Sequence, residues 1–494
     1  MSVRDRIVAH RRARIAAEGH CLGVEVPQTR SAPLVPFLRD PGLICEIKRR
    51  SPSRGAIDST LDPVALAGEY ARRGVRSVSV LTEEDHFAGS LADLIAVKRA
   101  YPDLSVLRKD FLIDDEDIDV SFRAGADAVL LIASILTQDE LARLHARAVA
   151  LGMTALVELH DDRDFERARA VAPPVVGINA RDLSTFRVDL LTPLRLRGRI
   201  DWPHRAVFES GAFHDEDAML ARSGGFEGLL VGEAAVRNPD AIDGLTRGLG
   251  FPVGARSFWT RIASLAGLRR PIVKICGITN AEDAEAAVGC GADLLGFVFA
   301  DSPRRATPAL LADVAHVDAL KVAVVVAGGA HGELDPEVRD LLDAGLIDAV
   351  QFHGDETLEE CARWGFPYYN AVRVATSADV TRAGDYRCPR VLVDARVDGV
   401  YGGSGARVPV DVLRGAADAP GSDEAAYVAG RPLWIAGGLT DTNVADVIRA
   451  FAPELIDASS GLEREPGRKD HDRMRAFFDA VRAAGRGDDG EQGV

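Results

Sequence analysis

The chain has 494 residues, which is too many for one compact hydrophobic core, so we expect two domains. Its formal net charge of -16 argues against a general binder of nucleic acid or anionic membranes. Six cysteines without a CxxC pair or a Cys/His cluster predict neither a disulfide framework nor a metal site. The sequence shows no secretory signal and no apolar run of membrane-spanning length, so we expect a cytoplasmic protein.

The first residues predict a helix and then an irregular segment. Residues 4–18 have the spacing of a basic amphipathic helix, whose arginines we interpret as a solvated face rather than as an anion-binding site. Residues 27–42 contain several prolines and predict an irregular approach to the first strand.

A repeating strand–helix pattern then runs through the first half of the chain. Short β-type runs alternate with Ala-, Leu-, Arg- and Glu-rich segments of helical spacing. Eight such units favour a (β/α)8 barrel over a doubly wound sheet, because no GxGxxG follows the first strand. The predicted strands are residues 43–48, 77–82, 104–109, 127–132, 154–158, 175–179, 206–210 and 228–232.

The pattern stops at a glycine-rich stretch and then starts again. Residues 244–271 contain clustered glycines and a short helical piece, so we place the domain junction there. We predict two tandem (β/α)8 TIM barrels of the α/β class: the first over residues 1–254 with an N-terminal helical extension, a linker helix over 255–270, and the second over 271–494. The strands of the second barrel are residues 272–276, 293–299, 320–326, 347–352, 368–374, 390–394, 432–436 and 454–458.

Charged and polar side chains collect at the strand ends of the first predicted barrel. In such barrels the chemistry lies at the C-terminal ends of the strands and in the loops that follow. A converging set of carboxylates and amines can perform general acid–base chemistry. The alternative is a group of strand-end salt bridges, which suits single residues better than the whole set. The set is Glu46, Lys48, Lys109, Glu158, Asn179, Glu209 and Ser210.

Glycines follow strands seven and eight, where barrels of this kind often hold a phosphate. Gly211 and Gly232 would let backbone N–H groups approach an anion, although glycine at a strand end is also an ordinary turn residue. The carboxylate of the neighbouring Glu233 would repel a phosphate; if its side chain turns outward, only its N–H need contribute.

The second barrel offers a thiol and a carboxylic acid on different strands. Cys276 ends strand one and Asp394 lies on strand six, so the two could form a base–acid pair, although a lone cysteine is usually a small core residue. Arg304, after strand two, could clamp a carboxylate. Three Gly/Ser loops on one rim predict a phosphate cradle. These loops are Gly402-Gly403-Ser404-Gly405, Gly437-Gly438 and Ser459-Ser460-Gly461.

Several of these positions belong to longer motifs that stand in one fixed order in the first half. The motifs are Glu46-Ile47-Lys48 with Ser51-Pro52-Ser53, Leu107-Arg108-Lys109-Asp110-Phe111, Leu156-Val157-Glu158, Gly177-Ile178-Asn179-Ala180-Arg181-Asp182-Leu183, and Glu209-Ser210-Gly211. Through them the first half resembles indole-3-glycerol-phosphate synthase over nearly its whole length.

The second half carries its own ordered set of motifs. They are Lys274-Ile275-Cys276-Gly277-Ile278-Thr279, Gly296-Phe297-Val298-Phe299, Ser302-Pro303-Arg304, Gln351-Phe352-His353-Gly354, Asp394, Gly402 to Gly405, Ala436-Gly437-Gly438-Leu439, and Asp457-Ala458-Ser459-Ser460-Gly461. Through them the second half is similar to phosphoribosylanthranilate isomerase. Synthase followed by isomerase is the order of the known fused bifunctional enzyme.

The resemblance implies two consecutive steps of tryptophan biosynthesis that need no metal or organic cofactor. The second half would perform the Amadori rearrangement of N-(5-phosphoribosyl)anthranilate. Asp394 would be its general acid and Cys276 its general base, while Arg304 would hold the anthranilate carboxylate. Phosphorylated anthranilate substrates would then be the partners, with no nucleic acid or membrane, and a monomer is our working expectation for the oligomeric state.

The first half would close and decarboxylate the product of that step to indole-3-glycerol phosphate. Lys109 would be the general acid, Glu158 the general base, and Lys48 would bind the substrate carboxylate. The division of the acid role between the two lysines is left open. Glu46 and Asn179 would orient charge, and Glu209 and Ser210 would line the anthranilate side. The resemblance also implies substrate binding by Ser53, Arg181, Gly211, Gly232, Glu233, His353, Gly403, Ser404, Gly405, Gly437, Gly438, Ser459, Ser460 and Gly461.

Two alternatives stay open from the sequence. The second barrel could act on a histidine-pathway aminoaldose, which needs the same rearrangement. That related isomerase uses aspartates on strands one and five, whereas here Cys276 ends strand one and Asp394 lies on strand six, which favours the anthranilate substrate. One barrel could instead be a silent binding or scaffold module, against which the full set of candidate residues in both halves argues.

Overall fold

The computed structural model describes residues 3–38, 40–51, 55–182, 185, 187–252, 257–327, 334–362, 365–374, 379, 383, 386–395 and 432–485. The chain divides into two compact units, residues 1–255 and 256–494, and each is described by itself. In the described part of the chain, no helix combines the length and the apolar character that crossing a membrane requires.

The first unit is a closed barrel of parallel strands, in which each strand pairs with its neighbours in sequence and the first pairs with the last. This arrangement confirms the predicted (β/α)8 barrel. Its strands are Gly42–Ile47 (β1), Ser77–Leu81 (β2), Ser105–Lys109 (β3), Ala128–Ile132 (β4), Thr154–Leu159 (β5), Val175–Asn179 (β6), Arg205–Glu209 (β7) and Gly228–Val231 (β8).

Local sequence signals set the ends of the surrounding helices. Thr137 and Glu140 form a reciprocal capping box, and Gly125 ends another helix in the left-handed region with φ 104°. The helices are Val3–Glu18 (α1), Pro63–Arg72 (α2), Leu91–Ala100 (α3), Asp115–Ala124 (α4), Gln138–Ala150 (α5), Asp162–Val171 (α6), Leu191–Arg197 (α7), Asp215–Ser223 (α8), Glu233–Arg237 (α9) and Ala241–Leu249 (α10). A 3-10 turn covers Ala133–Ile135, and Arg50–Ser51 pairs with Gly55–Ala56 in a short hairpin.

On four strands of the first barrel, the inner face changes from apolar to polar towards the C-terminal end. Side chains two residues apart on a strand point to the same side. Apolar residues therefore fill the interior below, and polar residues stand one step higher at the C-terminal ends of the same strands. The pairs are Ile44 with Glu46, Leu107 with Lys109, Leu156 with Glu158, and Val207 with Glu209.

A buried carboxylate secures the N-terminal end of β4. Asp127 accepts hydrogen bonds from Lys98 Nζ at 2.7 Å and from Arg30 Nη2 at 2.6 Å. It also accepts from the backbone N–H groups of Val35 and Val106. The irregular segment before β1 is thereby attached to the barrel by a carboxylate that is 1% exposed.

The second unit repeats the closed parallel barrel. The tandem arrangement of two barrels is therefore confirmed. Its strands are Ile272–Cys276 (β9), Leu294–Val298 (β10), Leu320–Val325 (β11), Ala349–Phe352 (β12), Tyr368–Val374 (β13), Val391–Ala395 (β14), Trp434–Ala436 (β15) and Leu455–Ala458 (β16).

Helices and a hairpin surround the strands of the second unit. The helix that starts it lies inside the predicted linker and packs on the barrel, with the ring of Trp259 6.0 Å from that of Trp434. The described helices are Phe258–Leu265 (α11), Ala281–Cys290 (α12), Pro308–Asp313 (α13), Pro336–Asp343 (α14), Leu358–Ala362 (α15), Val444–Phe451 (α16) and His471–Gly485 (α17). After β16, a 3-10 turn at Ser460–Leu462 leads into a hairpin of Glu463–Glu465 and Arg468–Lys469.

Removal of the Asp127 charge should destabilise the first unit. Asp127→Asn leaves Lys98 and Arg30 without their counter-ion, and breaking a buried pair in this way typically costs about 3–5 kcal/mol. Native-state hydrogen exchange, measured by mass spectrometry, should show faster exchange in the variant for peptides from β3 and β4. The exposed Asp139→Asn is the matched control. Equal protection in the two variants would contradict the role given to Asp127.

Candidate active sites

The C-terminal ends of the strands in the first unit open into one cavity. Ser53, which was also predicted for this site, lies outside the described residues. The other predicted positions all line the cavity: Glu46, Lys48, Lys109, Glu158, Asn179, Arg181, Glu209, Ser210, Gly211, Gly232 and Glu233. Apolar side chains of Ile7, Phe87 and Phe111 complete the wall, so the cavity combines an ionic floor with surfaces that suit an aromatic ring.

Lys109 is the centre of the charge cluster in this cavity. Its Nζ lies 2.9 Å from Glu158 Oε2 and 3.2 Å from Glu209 Oε2. Burial alone would lower the pKa of Lys109, but the charges of Glu158 and Glu209 outweigh burial and raise it. Lys109 is therefore an ammonium at neutral pH.

The two carboxylates around Lys109 differ in their proton affinity. Burial, followed by the negative charge of Glu158, raises the pKa of Glu209 to about 8. Burial acts in the same direction on Glu158, but the positive charge of Lys109 and the contact with His160 hold its pKa well below the usual range. One carboxyl group thus carries a proton at neutral pH while the other is an ionised base.

The amide of Asn179 and the imidazole of His160 orient Glu158. Asn179 Nδ2 donates to Glu158 Oε1 at 3.4 Å, and the backbone N–H of Arg181 donates to Asn179 Oδ1 at 2.9 Å, which fixes the direction of the amide. His160 Nε2 lies 3.0 Å from Glu158 Oε1, and its Nδ1 lies 3.3 Å from Asp164 Oδ2. Although burial lowers the pKa of His160, these two carboxylates raise it to about 9.

His160 was missed by the sequence analysis. It stands two positions after Glu158, immediately beyond β5, and so continues the same face of the strand. This two-residue spacing from Glu158 is the sequence feature from which His160 could have been predicted as a site residue. Its second carboxylate partner, on α6, was not evident from the pattern.

Glu46 and Lys48 form their own ion pair at the rim, with Oε2 and Nζ 2.5 Å apart. The chain passes close to this pair at Gly232, where a Cβ would lie 2.6 Å from Glu46 Oε2, so only glycine leaves the pair undisturbed. Glu233 pairs with Arg237 one turn along α9, with Oε1 and Nε 2.8 Å apart.

The prediction of a solvated basic face for α1 was wrong for Arg11, which is only 4% exposed. Its Nη2 donates to Asp117 Oδ1 at 2.9 Å, and its Nη1 lies 3.5 Å from Asp110 Oδ2. Asp110 follows Lys109 directly and also accepts from Arg108. Helix α1 is thereby attached beside the central lysine and supplies Ile7 to the wall of the cavity.

The second unit has a separate cavity at its own strand ends. Gly403, Ser404 and Gly405 lie outside the described residues. The other positions predicted for this half line the cavity: Cys276, Arg304, His353, Asp394, Gly437, Gly438, Ser459, Ser460 and Gly461. Gly437 and Gly438 have positive φ angles of 96° and 61°, a backbone conformation that favours glycine.

The candidate acid of this cavity is held by an imidazole. His353 Nε2 lies 3.1 Å from Asp394 Oδ2, and His353 Nδ1 lies 2.9 Å from Gln351 Nε2. The candidate base, Cys276, is buried, and burial raises the pKa of its thiol. Across the cavity floor, Ser459 Oγ donates to the carbonyl oxygen of Cys276 at 3.1 Å, which fixes the end of β9.

Arg304 faces a carboxylate of its own chain. Its Nε lies 2.9 Å from Glu463 Oε1 and its Nη2 lies 2.9 Å from Glu463 Oε2, a two-point contact along one edge of the guanidinium. Lys469 Nζ also donates to Glu463 at 2.9 Å. Glu463 was missed by the sequence analysis because its hairpin follows the last strand, far from Arg304 in sequence.

Comparison with known proteins assigns each of the two units to a protein family. Residues 5–246 match the family model described as indole-3-glycerol phosphate synthase, and residues 273–480 match the one described as N-(5'-phosphoribosyl)anthranilate isomerase. The indole-3-glycerol phosphate synthase of a Nocardioides species is 42% identical over 249 residues, which cover 49% of this chain and 95% of that protein. The chain belongs to these two families in tandem. Its units are called the synthase barrel and the isomerase barrel below.

Some relatives that match along most of this chain are longer proteins. The multifunctional tryptophan biosynthesis protein of Phycomyces blakesleeanus is 32% identical over 495 residues, which cover 90% of this chain and 63% of that protein. The chain thus spans less than two thirds of that relative. Among solved structures, the phosphoribosyl anthranilate isomerase of Thermotoga maritima is 31% identical with a TM-score of 0.37, covering 43% of this chain and 99% of its own.

The proton on Glu209 of the synthase barrel should be directly observable. Because the pKa of Glu209 is raised to about 8, its carboxyl group is protonated below that pH and ionised above it. The infrared C=O band of a protonated carboxyl should therefore disappear as the pH passes about 8. Glu209→Gln should lack this component, and the difference between the two spectra isolates it from other buried carboxyls. An identical titration in both proteins would contradict the assignment.

Proposed function

We propose that the chain catalyses two consecutive steps of tryptophan biosynthesis. The isomerase barrel converts N-(5-phosphoribosyl)anthranilate to 1-(2-carboxyphenylamino)-1-deoxyribulose 5-phosphate, and the synthase barrel converts that product to indole-3-glycerol phosphate, carbon dioxide and water. The observation that carries the proposal is the ammonium of Lys109 between an ionised and a protonated carboxyl group, at the motif positions of the synthase family.

In the synthase barrel, Lys109 donates a proton to the substrate carbonyl oxygen as the aromatic carbon that bears the carboxylate attacks the carbonyl carbon. Loss of carbon dioxide then restores the aromatic ring. Lys109, reprotonated from solvent water, then protonates the hydroxyl group, which departs as water, and Glu158 removes the proton whose loss completes the indole. Lys48 binds the substrate carboxylate before it leaves, and Glu46 at 2.5 Å keeps that ammonium at the rim.

In the isomerase barrel, Asp394 protonates the ring oxygen of the ribose, and the nitrogen lone pair opens the ring to a protonated imine. The Cys276 thiolate then removes the proton from C2, and the resulting enol-amine becomes the aminoketone. Arg304 holds the anthranilate carboxylate. Since the edge of Arg304 that carries Nε already binds Glu463, the substrate carboxylate meets the edge that carries Nη1.

Both substrates carry a phosphate and a carboxylate, although the protein has a net charge of -16. Local groups must therefore attract each anion. Backbone N–H groups near Gly211 and Gly232 serve the phosphate in the synthase barrel, and those near Gly438 and Gly461 serve it in the isomerase barrel. Incubation of the full chain with phosphoribosylanthranilate should produce indole fluorescence, and its absence would contradict the two-step proposal.

Loss of the central ammonium should stop only the second step. Lys109→Ala removes the proton donor, and general acid–base groups typically contribute about 100-fold to 10,000-fold in rate. Formation of indole-3-glycerol phosphate from the purified aminoketone should fall by at least about 100-fold. Isomerisation by the same molecules should remain near the wild-type rate, and far-UV circular dichroism checks that the synthase barrel has folded. A loss of both activities would contradict two independent sites.

The reverse result is expected for the acid–base pair of the isomerase barrel. Cys276→Ala and Asp394→Ala should each lower conversion of phosphoribosylanthranilate by at least about 100-fold. The synthase activity on purified aminoketone should be unchanged, and Cys290→Ala, a partly exposed cysteine outside the cavity, is the matched control. Wild-type isomerase activity in Cys276→Ala would exclude the thiol as the base.

A further inference from the structure

Lys274 is a buried cation that the proposed mechanism does not use. It lies on β9, two residues before Cys276 and on the same inner face of the barrel, with 0% of its side chain exposed. Its Nζ lies 2.7 Å from Asp457 Oδ2 on the neighbouring strand β16 and 2.6 Å from Gln351 Oε1 on β12. A charge at this depth is costly unless its partners are fixed.

The hydrogen bonds of Lys274 determine those of its neighbours. An ammonium can only donate, so Gln351 Oε1 is the acceptor, and the hydroxyl of Tyr369 donates to the same oxygen at 2.9 Å. The amide nitrogen of Gln351 must then face His353 Nδ1, which accepts from it at 2.9 Å. A neutral His353 therefore carries its proton on Nε2, which lies 3.1 Å from Asp394 Oδ2.

The ammonium end of the same lysine also lies near the thiol of Cys276. A Cβ on Gly296 would lie 2.7 Å from Cys276 Sγ and 3.0 Å from Lys274 Cε, so both side chains occupy the space that this glycine leaves empty. A neighbouring ammonium favours the thiolate over the thiol. Burial opposes it and raises the pKa of Cys276, and the carboxylate of Asp457 acts in the same direction.

Other charged or titratable groups also act on the thiol from the elements around it. Lys469 of the hairpin and Arg304 after β10 are cations, but each is paired with Glu463. Tyr369 on β13 is neutral because burial raises its pKa above its ordinary value. Asp394 and His353 face Asp457 from β14 and from the loop after β12. Lys274 is the cation that shares the strand of Cys276.

We propose that Lys274 is a positioning residue for both ends of the acid–base pair of the isomerase barrel. Its charge stabilises the Cys276 thiolate, and its hydrogen bond to Gln351 fixes the His353 tautomer that donates to Asp394. This inference rests on the proposed isomerase function. The alternative is that Lys274 and Asp457 form a purely structural ion pair. The two accounts predict different directions for the change in the thiol pKa of Cys276 when either residue is replaced.

The first experiment measures the thiol pKa in the full chain without substrate. The alkylation rate of Cys276 by iodoacetamide is followed against pH through its peptide in a mass spectrometer. Lys274→Met removes the cation and leaves Asp457, so the midpoint should rise by at least about one pH unit, which is at least about tenfold slower alkylation at neutral pH. Asp457→Asn removes the anion, so its midpoint should fall.

Opposite shifts in these two variants support the proposal. A structural ion pair predicts that both variants loosen the barrel and shift the midpoint in the same direction, and that result would overturn it. An unchanged midpoint in Lys274→Met would also overturn it. Far-UV circular dichroism of each variant reports folding, and the direction of the Asp457→Asn shift decides between the two accounts if Lys274→Met does not fold.

The second experiment separates the two ends of the network. Gln351→Met interrupts the link to His353 but leaves Lys274 beside Cys276, so the alkylation midpoint should not change while isomerase kcat/KM falls at least about tenfold and its pH profile shifts. A midpoint shift as large as in Lys274→Met, or an unchanged kcat/KM, would overturn the proposal. If the wild-type chain lacked isomerase activity, the proposed function would fail, whereas the alkylation result would still stand on its own.

Discussion

Each barrel depends on a lysine ammonium that is removed from water. Moving a charge into a protein interior costs several kcal/mol unless partners replace its hydration. Lys109 is held by Glu158 and Glu209, and Lys274 is held by Asp457 together with an amide oxygen. Because these partners come from strands that are far apart in sequence, the cation is compensated only when the ring of strands is closed. Charge pairing and barrel closure therefore stabilise each other.

The depth of the ammonium decides what it can do. Lys109 is the last residue of β3, and 15% of its side chain is exposed to the cavity, so it can give a proton to a substrate. Lys274 is the third residue of β9 and is completely buried, so it can act only through its neighbours. A difference of two positions along a strand thus separates a lysine that can exchange protons with a substrate from a lysine that acts only on the protonation of neighbouring side chains.

Strand periodicity and loop position were sufficient to predict the two barrels and the residues at their strand ends. Glu158 and Cys276 are examples, because a polar side chain at the end of an apolar strand is visible in sequence. Contacts between distant segments were not predictable in the same way. Arg11 meets a partner 106 positions away, and Glu463 meets Arg304 across 159 positions. Such pairs depend on how a helix or hairpin folds back over the rim, which local patterns do not encode.

The attachment of α1 has a practical consequence for anyone who shortens or tags this chain. The segment before β1 precedes the barrel proper and contributes no strand, so it resembles a dispensable leader. Arg11 nevertheless neutralises Asp117 inside the protein, and Ile7 forms part of the cavity wall. A trimmed form that begins at β1 would retain every residue of the strand ends, yet it would have an incomplete pocket, and the buried Asp117 would lose the arginine that neutralises it.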